Sequence, residues 1–410
     1  MACILKLSTA KDKGILSITT PAARLVRENA ALLGALVQLK KKYHVILHHN
    51  WHDFNFQDDG LFELHFAGED DLRARSGEIF PTLGYDACNF TPTCYTKTDS
   101  EKLWDILFVG NAVFFKDPIT FLKNIKALYA QGRRYRALYL CPIPPYDRRS
   151  KSTVIYNIEE IYEEMFTPEE KLLFNLVTLR PNYPRTFDRE TLSLFYRNSK
   201  IFVHTAPVER RCRVAAYAWC AGMPVVGSAS VGSLLPKHLQ VAPAFYEVEH
   251  PNYAPAIDRA LQDRAAGKNY NVVDYQKCLR QDFMSEVLVR DLQTKLKEPG
   301  LNAGSMLLQQ LDFRLGMQHG FSSTSNNIDL PLWNLFELLN QSTISMSPEL
   351  VASELPEKLI SDNFKGVPLH LKKDFHHRVK DEFHRYKGKF KLAVIGVLRL
   401  LGCQWTKKRN

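Results

Sequence analysis

Strand-like and helix-like segments alternate along residues 104–267, and this alternation restricts the fold more than any other feature of the sequence. Apolar runs with the length of buried strands lie at 105–110, 135–142, 200–206 and 224–228, and amphipathic segments with helical spacing separate or follow them. Strands that are separated by helices pair in parallel, because each crossover helix covers a face of the sheet. The alternation therefore predicts a parallel sheet with helices on its faces, a framework that hosts many nucleotide-binding functions.

The first hundred residues predict a smaller α/β unit. A threonine cap and a proline at the first helical position begin a helix that is expected to run from Thr20 to Lys42. Buried strands are predicted at 43–49 and 61–68, and the polar, proline-containing segment 84–100 suits a linker.

The last part of the chain is mostly helical in its pattern, and apolar spacing over 274–296 predicts one long amphipathic helix. We therefore expect three units. They are an amino-terminal lobe with its linker at 1–100, a Rossmann-like domain at 101–270, and a helical region with a basic tail at 271–410.

Cysteine usage and hydropathy indicate the compartment. The eight cysteines include no C-x-x-C pair, which argues against a zinc site and favours a reducing compartment. The amino terminus lacks the apolar core of a secretory signal, and no run approaches the ~20 apolar residues that span a bilayer. We expect a cytoplasmic protein without a bound metal.

The net charge of +10 is concentrated in the tail. From Lys372 to Asn410, twelve lysines and arginines face three acidic residues. Within this tail, the apolar segment 390–402 is flanked by lysines, a pattern typical of a helix that lies on an anionic membrane surface. The alternative is that the segment packs on the body of the protein. No recognisable nucleic-acid-binding module accompanies the basic residues.

A cluster of charge follows the strand at 200–206. Glu209, Arg210, Arg211 and Arg213 stand where a strand passes into a helix. Arginines at a helix start are unfavourable unless an anion binds there and uses both their charge and the free backbone N–H groups. The cluster indicates a phosphate-bearing ligand, or else arginines that point into solvent or pair with acids elsewhere.

Other polar and glycine residues belong to the same edge of the predicted sheet. Gly110 ends one strand and Lys116 follows a short loop later, while Gly227 and Gly232 follow a later strand. Ligands of open parallel sheets bind beyond the carboxyl ends of the strands, so these loops are expected to surround one site.

From residue 84 to residue 265 the chain resembles the nucleotide-sugar-binding half of group 1 glycosyltransferases with the GT-B fold. In that family a strand ending in glycine leads to an arginine and, five residues later, a lysine, which contact the donor phosphates. Here the strand ends at Gly110, with Asn111 in place of the arginine and Lys116 in place of the lysine. Glu209 matches the first of two family glutamates, and AWCAGMPVVGS is in register with the closing block.

Four departures accompany the resemblance. Tyr217 stands where the family has its second glutamate, which holds the nucleotide ribose. Asn111 removes one phosphate-binding cation, and the segment RRCR replaces a glycine-rich turn, so that its arginines are another source of positive charge. The amino-terminal lobe is also short for the family.

The resemblance implies an α/β fold of the GT-B type, with two Rossmann-like lobes, and a function. The implied reaction moves a sugar from a UDP- or GDP-sugar to a hydroxyl of a glycan or lipid-linked acceptor in polysaccharide biosynthesis, without metal and with retention of configuration. Lys116, with Arg210 or Arg211, would neutralise the leaving diphosphate, and Glu209 would hydrogen-bond the sugar. Gly232 would let the backbone approach the donor, while Tyr217 would lie at the nucleotide.

Histidines after the first predicted strand suggest the acceptor side. His48 and His52 are candidates for binding acceptor or acting as a base; the alternatives are a core histidine, surface residues or a metal site. Two other functions stay open for the whole chain: a sugar-nucleotide epimerase or hydrolase on the same fold, and a catalytically inactive GT-B-like scaffold, which Tyr217 and Asn111 favour.

Overall fold

A computed structural model describes residues 2–49, 60–67, 81–96, 102–142, 156–179, 187–209, 211–315 and 332–341. Over these residues the fold is α/β, with two lobes that are each built on a separate sheet. The predicted fold class, two Rossmann-like lobes with further helices towards the carboxyl end, is confirmed.

The first lobe is built on a five-stranded sheet. Its elements are β1 (Ala2–Lys6), β2 (Gly14–Thr19), α1 (Thr20–Glu28), α2 (Ala30–Leu39), β3 (Tyr43–His48), β4 (Leu64–Phe66) and β5 (Thr82–Leu83). The strands lie in chain order; β1 and β2 form an antiparallel hairpin and the remaining pairs are parallel. The hairpin was not expected from the sequence, although every residue of β2 is buried.

The helix expected from Thr20 to Lys42 is two helices, with a break at Asn29. The backbone of Asn29 is extended, at φ −129° and ψ 109°. Its side-chain oxygen accepts hydrogen bonds from the N–H groups of Ala31 and Leu32, at 3.0 and 3.2 Å. Asparagine is a strong helix N-cap, so this residue starts a second helix rather than continuing the first.

Residues 84–96 of the segment that was expected to be a linker are packed into the body of the protein. Residues 87–89 and 93–96 form two 3-10 turns, and the side chains of Phe90 and Tyr95 are fully buried. The polar composition of this segment serves turns, in which Asp86 accepts from the Ala87 N–H and Asn89 accepts from the Asp86 N–H.

The second lobe is built on a six-stranded sheet. Its elements are β6 (Trp104–Val109), α3 (Pro118–Ala130), β7 (Ala137–Pro142), α4 (Ile158–Met165), α5 (Pro168–Lys171), β8 (Phe174–Leu179), α6 (Arg189–Arg197), β9 (Ser199–His204), α7 (Arg213–Cys220), β10 (Val225–Gly227), α8 (Ala229–Gly232), β11 (Phe245–Glu247) and α9 (Ala254–Ala265). The predicted parallel sheet with covering helices is confirmed, since every strand pair in it is parallel.

The strand order of this sheet is β11-β10-β9-β6-β7-β8. If the strands are numbered from the first strand of the lobe, this is the doubly wound 3-2-1-4-5-6 order. Successive strands are added on one side of β6 and then, from β9 onwards, on its other side, so the strand order reverses between β6 and β9. Two apolar cores, one on each face, enclose the sheet: one contains Trp219 of α7 and the other contains Phe121 of α3.

The helices that follow belong to both lobes. They are α10 (Val272–Leu279), α11 (Gln281–Leu296), α12 (Leu311–Arg314) and α13 (Leu332–Gln341). Tyr275 and Leu279 of α10 join a core of the second lobe, whereas Leu288 and Leu292 of α11 join a core of the first lobe. Phe336 of α13 packs with α1 and α2.

The single helix expected at 274–296 is wrong, because the chain is extended at Arg280 between α10 and α11. Thr91 takes the place of the helical partners there: its N–H donates to the Leu279 carbonyl at 2.7 Å, and its carbonyl accepts from the Gln281 N–H at 2.9 Å. A residue from the connection between the lobes thus interrupts the helix where it passes from one lobe to the other.

Candidate functional site

The candidate site lies where the strand order of the second sheet reverses. β6 and β9 are neighbours there, with Leu107 opposite Phe202. Both strands run in the same direction, so the loop 110–117 after β6 and the loop 205–212 after β9 leave the sheet at the same edge. Crevices at such reversal points are where open α/β sheets bind ligands.

Lys116 and Glu209 are in direct contact at this edge. The Lys116 ammonium donates a hydrogen bond to Oε2 of Glu209 across a sequence separation of 93 residues. The Glu209 side chain is 9% exposed and the Lys116 side chain 25% exposed. A buried carboxylate and a more accessible cation thus form one unit, which the sequence predicted only as two members of the same crevice.

His204, the last residue of β9, lies behind this pair. Its Nε2 is 3.3 Å from Oε2 of Glu209, and its side chain is fully buried. Burial lowers the pKa of His204, against the opposing effect of Glu209. Burial alone would raise the pKa of Glu209, but the Lys116 ammonium and the hydrogen bond from His204 hold it well below its usual value. The carboxylate is therefore ionised beside a neutral imidazole.

Two serines and a threonine hold the loops that carry the pair. The Glu209 N–H donates to Oγ of Ser230 at 2.9 Å, and Ser230 in turn contacts Ser228 at 2.9 Å. The hydroxyl of Thr205 donates to the carbonyl of Asp117, next to Lys116, at 2.7 Å. The backbones on both sides of the ion pair are thus fixed by neighbouring elements.

Gly110 and Asn111, which were predicted to belong to the donor site, lie directly after β6. The Gly110 N–H donates to the Leu140 carbonyl at 3.2 Å, and a Cβ at this residue would approach the ring of Phe108 at 3.3 Å and Cβ of Lys116 at 4.0 Å. The Asn111 carbonyl accepts from the Val113 N–H at 2.8 Å, which turns the loop towards Lys116.

The arginines of the charged turn have different positions. Arg211 donates to acceptors of the first lobe: the carbonyls of Ala67 and Gly84, at 3.2 and 3.3 Å, and the side chain of Asn89, at 3.2 Å. Arg210 lies outside the described residues. The contact between the lobes therefore explains the arginine at position 211, and no sequence pattern indicated it.

Tyr217 and Gly232 are both packed into the second lobe. The Tyr217 ring stacks on Tyr95, with ring centroids 4.2 Å apart and planes 19° apart. Gly232 ends α8 against Phe245, where a Cβ would meet the ring at 2.6 Å, so packing requires a glycine at this position. These contacts account for both residues without a ligand.

The first lobe turns the carboxyl ends of its strands towards the charged turn, as the contact of Arg211 with Ala67 indicates. His48 ends β3 opposite Phe66 of β4 and is buried, with its ring at 5.9 Å from that of Phe66. His52 lies outside the described residues. His48 is thus at the edge of the first sheet that faces the second lobe.

A pair of buried histidines in the first lobe was not predicted as a pair. Nε2 of His49 is 2.9 Å from Nδ1 of His65, and the rings are stacked with centroids 5.2 Å apart. Burial, together with the charges of His65, His48 and Arg27, lowers the pKa of His49 to about 3. The sequence signal for this pair is a histidine directly after one buried strand and a histidine within the adjacent strand.

His204 and Ser230 were not predicted from the sequence. A polar residue at the end of an otherwise apolar strand, as in FVHTA, is the signal that could have indicated His204. Among the residues that the structure describes, no cluster of three histidine, cysteine, aspartate or glutamate side chains is arranged to hold a metal ion. Within the same residues, no helix has the length and apolarity needed to span a membrane.

Comparisons with known proteins concern the fold. No protein-family model matches the sequence, and no curated protein matches it significantly. Among solved structures, the pneumococcal O-GlcNAc transferase GtfA, in complex with UDP and GlcNAc, has 9% identity and a TM-score of 0.46; the match covers 66% of this chain and 55% of GtfA. The chain thus spans little more than half the length of that protein.

Two further structures have similar scores. Sucrose-phosphate synthase from Thermosynechococcus elongatus has 16% identity and a TM-score of 0.43, with 64% of this chain and 71% of that chain covered. Anabaena HepE, in complex with UDP, has 12% identity and a TM-score of 0.43, with 68% and 81% covered. These three similar structures are GT-B glycosyltransferases, and at these identities the similarity concerns the fold alone.

Proposed function

We propose that this protein is a glycosyltransferase that moves a sugar from a nucleoside diphosphate sugar to a hydroxyl of an acceptor. The observation that carries the proposal is the contact of Lys116 with Glu209 at the reversal point of the second sheet. A cation and a carboxylate at this edge match the two needs of such a donor, which has a diphosphate to neutralise and sugar hydroxyls to orient.

In the proposed reaction the bond between the anomeric carbon and the diphosphate oxygen breaks, and its electron pair stays on the diphosphate. Lys116 stabilises the charge that develops on that oxygen. Glu209, which is held ionised, accepts hydrogen bonds from sugar hydroxyls. The acceptor oxygen forms the new bond to the anomeric carbon and loses its proton to a base, for which His48 and His52 of the first lobe are our candidates.

A bound donor would compete with the ion pair. The diphosphate attracts Lys116 and the sugar hydroxyls attract the Glu209 carboxylate, so donor binding exchanges one ion pair for two ligand contacts. The Glu209 carboxylate loses little stabilisation by this exchange if a second hydrogen-bond donor of the protein stays in contact with it. The cost of separating the pair is therefore offset by contacts with both halves of the donor.

The finer features of the reaction are part of the proposal. We propose that a UDP- or GDP-sugar is the donor, that a glycan or lipid-linked compound is the acceptor, that no metal is needed and that configuration is retained. Unchanged turnover in excess EDTA would support the cationic side chain as the source of charge neutralisation, whereas loss of turnover would show that a metal is required.

The experiment that tests the function combines binding and turnover. The protein is incubated with UDP-glucose, UDP-N-acetylglucosamine and GDP-mannose, with and without a mixed panel of glycan and glycolipid acceptors, and thermal shift and nucleotide release are measured. Lys116→Ala should reduce the thermal shift, whereas substitution of Lys123, an exposed lysine on α3, by alanine should preserve it. Acceptor-dependent release supports transfer, and release without acceptor supports the hydrolase or epimerase.

A second candidate function has one observation in its favour. Tyr217 stands at the position of the family's second glutamate and stacks on Tyr95 in the core, so this chain has no carboxylate there for the nucleotide ribose. A GT-B-like scaffold that no longer uses a nucleotide donor would tolerate such a change. Absence of binding to every nucleotide sugar of the panel would favour that candidate.

We also propose a cytoplasmic protein that contacts anionic membranes through residues 387–410, which lie outside the described residues. Each basic residue near an anionic surface contributes about 1 kcal/mol of attraction. A chain truncated at residue 386 should sediment less with phosphatidylserine vesicles than the full chain. Equal sedimentation of the two would contradict the membrane contact.

A further inference from the structure

His204 holds the Glu209 carboxylate through the same oxygen that Lys116 uses. Nε2 of His204 lies 3.3 Å from Oε2 of Glu209, and the Lys116 ammonium contacts Oε2 as well. The two donors differ in accessibility, because His204 is fully buried and the Lys116 side chain is 25% exposed. Only Lys116 is therefore within reach of a ligand in the crevice.

The orientation of the His204 ring is set by aromatic packing. Phe108 of β6 and Phe202 of β9 stack near-parallel with it, at centroid distances of 6.4 and 6.2 Å and interplanar angles of 23° and 17°. Close packing against rings of the two central strands limits the rotation of the imidazole. The position of Nε2 is thus determined by the two central strands of the sheet rather than by the loop that carries Glu209.

The protonation state of His204 suits a hydrogen-bond donor. Burial lowers the pKa of His204, so the imidazole is neutral at pH 7 and one nitrogen carries hydrogen. A carboxylate accepts only, which places that hydrogen on Nε2. Within the described part of the chain, Nδ1 is buried and has no hydrogen-bond partner, as suits the nitrogen without hydrogen.

From these contacts we propose that His204 is a positioning residue for Glu209, and that it keeps the carboxylate in place when Lys116 turns to a diphosphate. The inference rests on the proposed function, because it concerns what happens when a nucleotide sugar binds. Lys116 then leaves the Glu209 oxygen for the diphosphate, whereas His204 stays hydrogen-bonded to it. His204 does not touch the ligand. It acts on the sugar end of the donor alone, through Glu209, and leaves the diphosphate end to Lys116.

The test separates the sugar contribution from the diphosphate contribution. Dissociation constants of UDP and GDP, and of UDP-glucose, UDP-N-acetylglucosamine and GDP-mannose, are measured by calorimetry for the full chain. His204→Phe keeps the ring but loses the N–H, and His204→Asn is a second variant whose shorter amide does not reach Glu209. His204→Gln retains an N–H near the Nε2 position, and His238→Phe, an exposed histidine of the same lobe, is the matched control.

We expect His204→Phe and His204→Asn to weaken binding of the preferred nucleotide sugar about tenfold, which is the effect of losing one hydrogen bond to a charged group. The affinity for the free nucleoside diphosphate should change less than twofold. His204→Gln should recover most of the loss. If both variants keep the wild-type ratio of the two affinities, as His238→Phe should, the inference is wrong while the proposed function stands. If the wild-type chain binds no nucleotide or nucleotide sugar of the panel, the proposed function is wrong and this inference with it.

Discussion

The guanidinium of Arg211, in the loop after β9, reaches into the first lobe and donates a hydrogen bond to the side-chain oxygen of Asn89 at 3.2 Å. Its second terminal nitrogen donates to the carbonyls of Ala67 and Gly84, which follow β4 and β5. The loop that carries Glu209 is thereby attached to the carboxyl edge of the other sheet. The two lobes and the candidate site share one side chain.

Arg211→Ala should therefore destabilise the protein. We expect the free energy of unfolding in urea to fall by about 2–3 kcal/mol, since the acceptors of the first lobe lose their donor and Asn89 is buried. Arg259→Ala is the matched control, because that side chain is 71% exposed. If Arg211→Ala leaves unfolding unchanged but weakens UDP binding, the arginine is a phosphate ligand and the structural explanation is wrong.

The second sheet, and the placement of Lys116 and Glu209 at the same edge of it, followed from local patterns. Buried apolar runs of strand length, separated by amphipathic helices, lead to a parallel sheet, and the carboxyl ends of its strands share an edge. Residues that follow two such strands are close in space even when they are far apart in sequence. The crevice could therefore be predicted from strand ends alone.

Contacts between distant segments could not be predicted in this way. Thr91 interrupts a helix at Arg280, and nothing in the apolar spacing around Arg280 indicates a break, because the partner lies in another part of the chain. The acceptors of Arg211 are backbone carbonyls, which every residue possesses and no sequence pattern distinguishes. The sequence therefore suggests an anion, solvent or acidic partners for the arginines at the turn, but not the carbonyls that Arg211 contacts.

Removing the negative charge and removing the positive charge of the ion pair should have opposite effects on the affinity for free nucleoside diphosphate. Glu209→Gln removes the carboxylate that competes for Lys116 and repels phosphate, so UDP or GDP should bind about three- to tenfold more tightly. Lys116→Ala should weaken the same binding. Calorimetry with the free nucleotides measures both, and turnover with the nucleotide sugar should fall in both variants.

Stability provides the control for this comparison. Lys116→Ala leaves Glu209 buried without its cation and should cost about 1–2 kcal/mol, which lies between the values for exposed and for fully buried pairs because the lysine is one quarter exposed. Glu209→Gln keeps a hydrogen-bonding side chain and should cost less. Weaker nucleotide binding by Glu209→Gln would contradict the competition between carboxylate and diphosphate.

Restoring the family's glutamate at position 217 should not restore a ribose contact. The Tyr217 ring fills a buried stack with Tyr95, and a carboxylate there would be desolvated among aromatic rings. We expect Tyr217→Glu to lose about 2–4 kcal/mol of unfolding free energy, and Tyr217→Phe to stay within about 1 kcal/mol of wild type. A stable Tyr217→Glu variant with tighter nucleotide binding would show that the side chain points into the site.

Acid should destabilise the first lobe through His49. The pKa of His49 falls from 6.5 to about 3 on folding, so the native state resists protonation that the unfolded chain accepts. A histidine with a lowered native pKa contributes its full stability above pH 6.5 and loses it progressively as the pH falls towards 3. Between pH 6.5 and pH 5 the loss should be about 2 kcal/mol, and His49→Gln, which does not titrate, should remove most of that slope in urea unfolding.

The pKa of His44 shifts on folding in the opposite direction to that of His49, so His44 serves as the control. Burial alone would lower the pKa of His44, but hydrogen bonds to the carboxylates of Glu63 and Glu298 raise it overall. The contribution of His44 to the free energy of unfolding is complete below pH 6.5 and is lost as the pH rises through the native pKa. His44→Gln should therefore leave the fall in unfolding free energy between pH 6.5 and pH 5 as steep as in wild type or steeper. The buried His204 has the same sign as His49 and leaves a residual slope in His49→Gln. If His49→Gln and wild type lose stability equally on acidification, the low pKa of His49 is wrong.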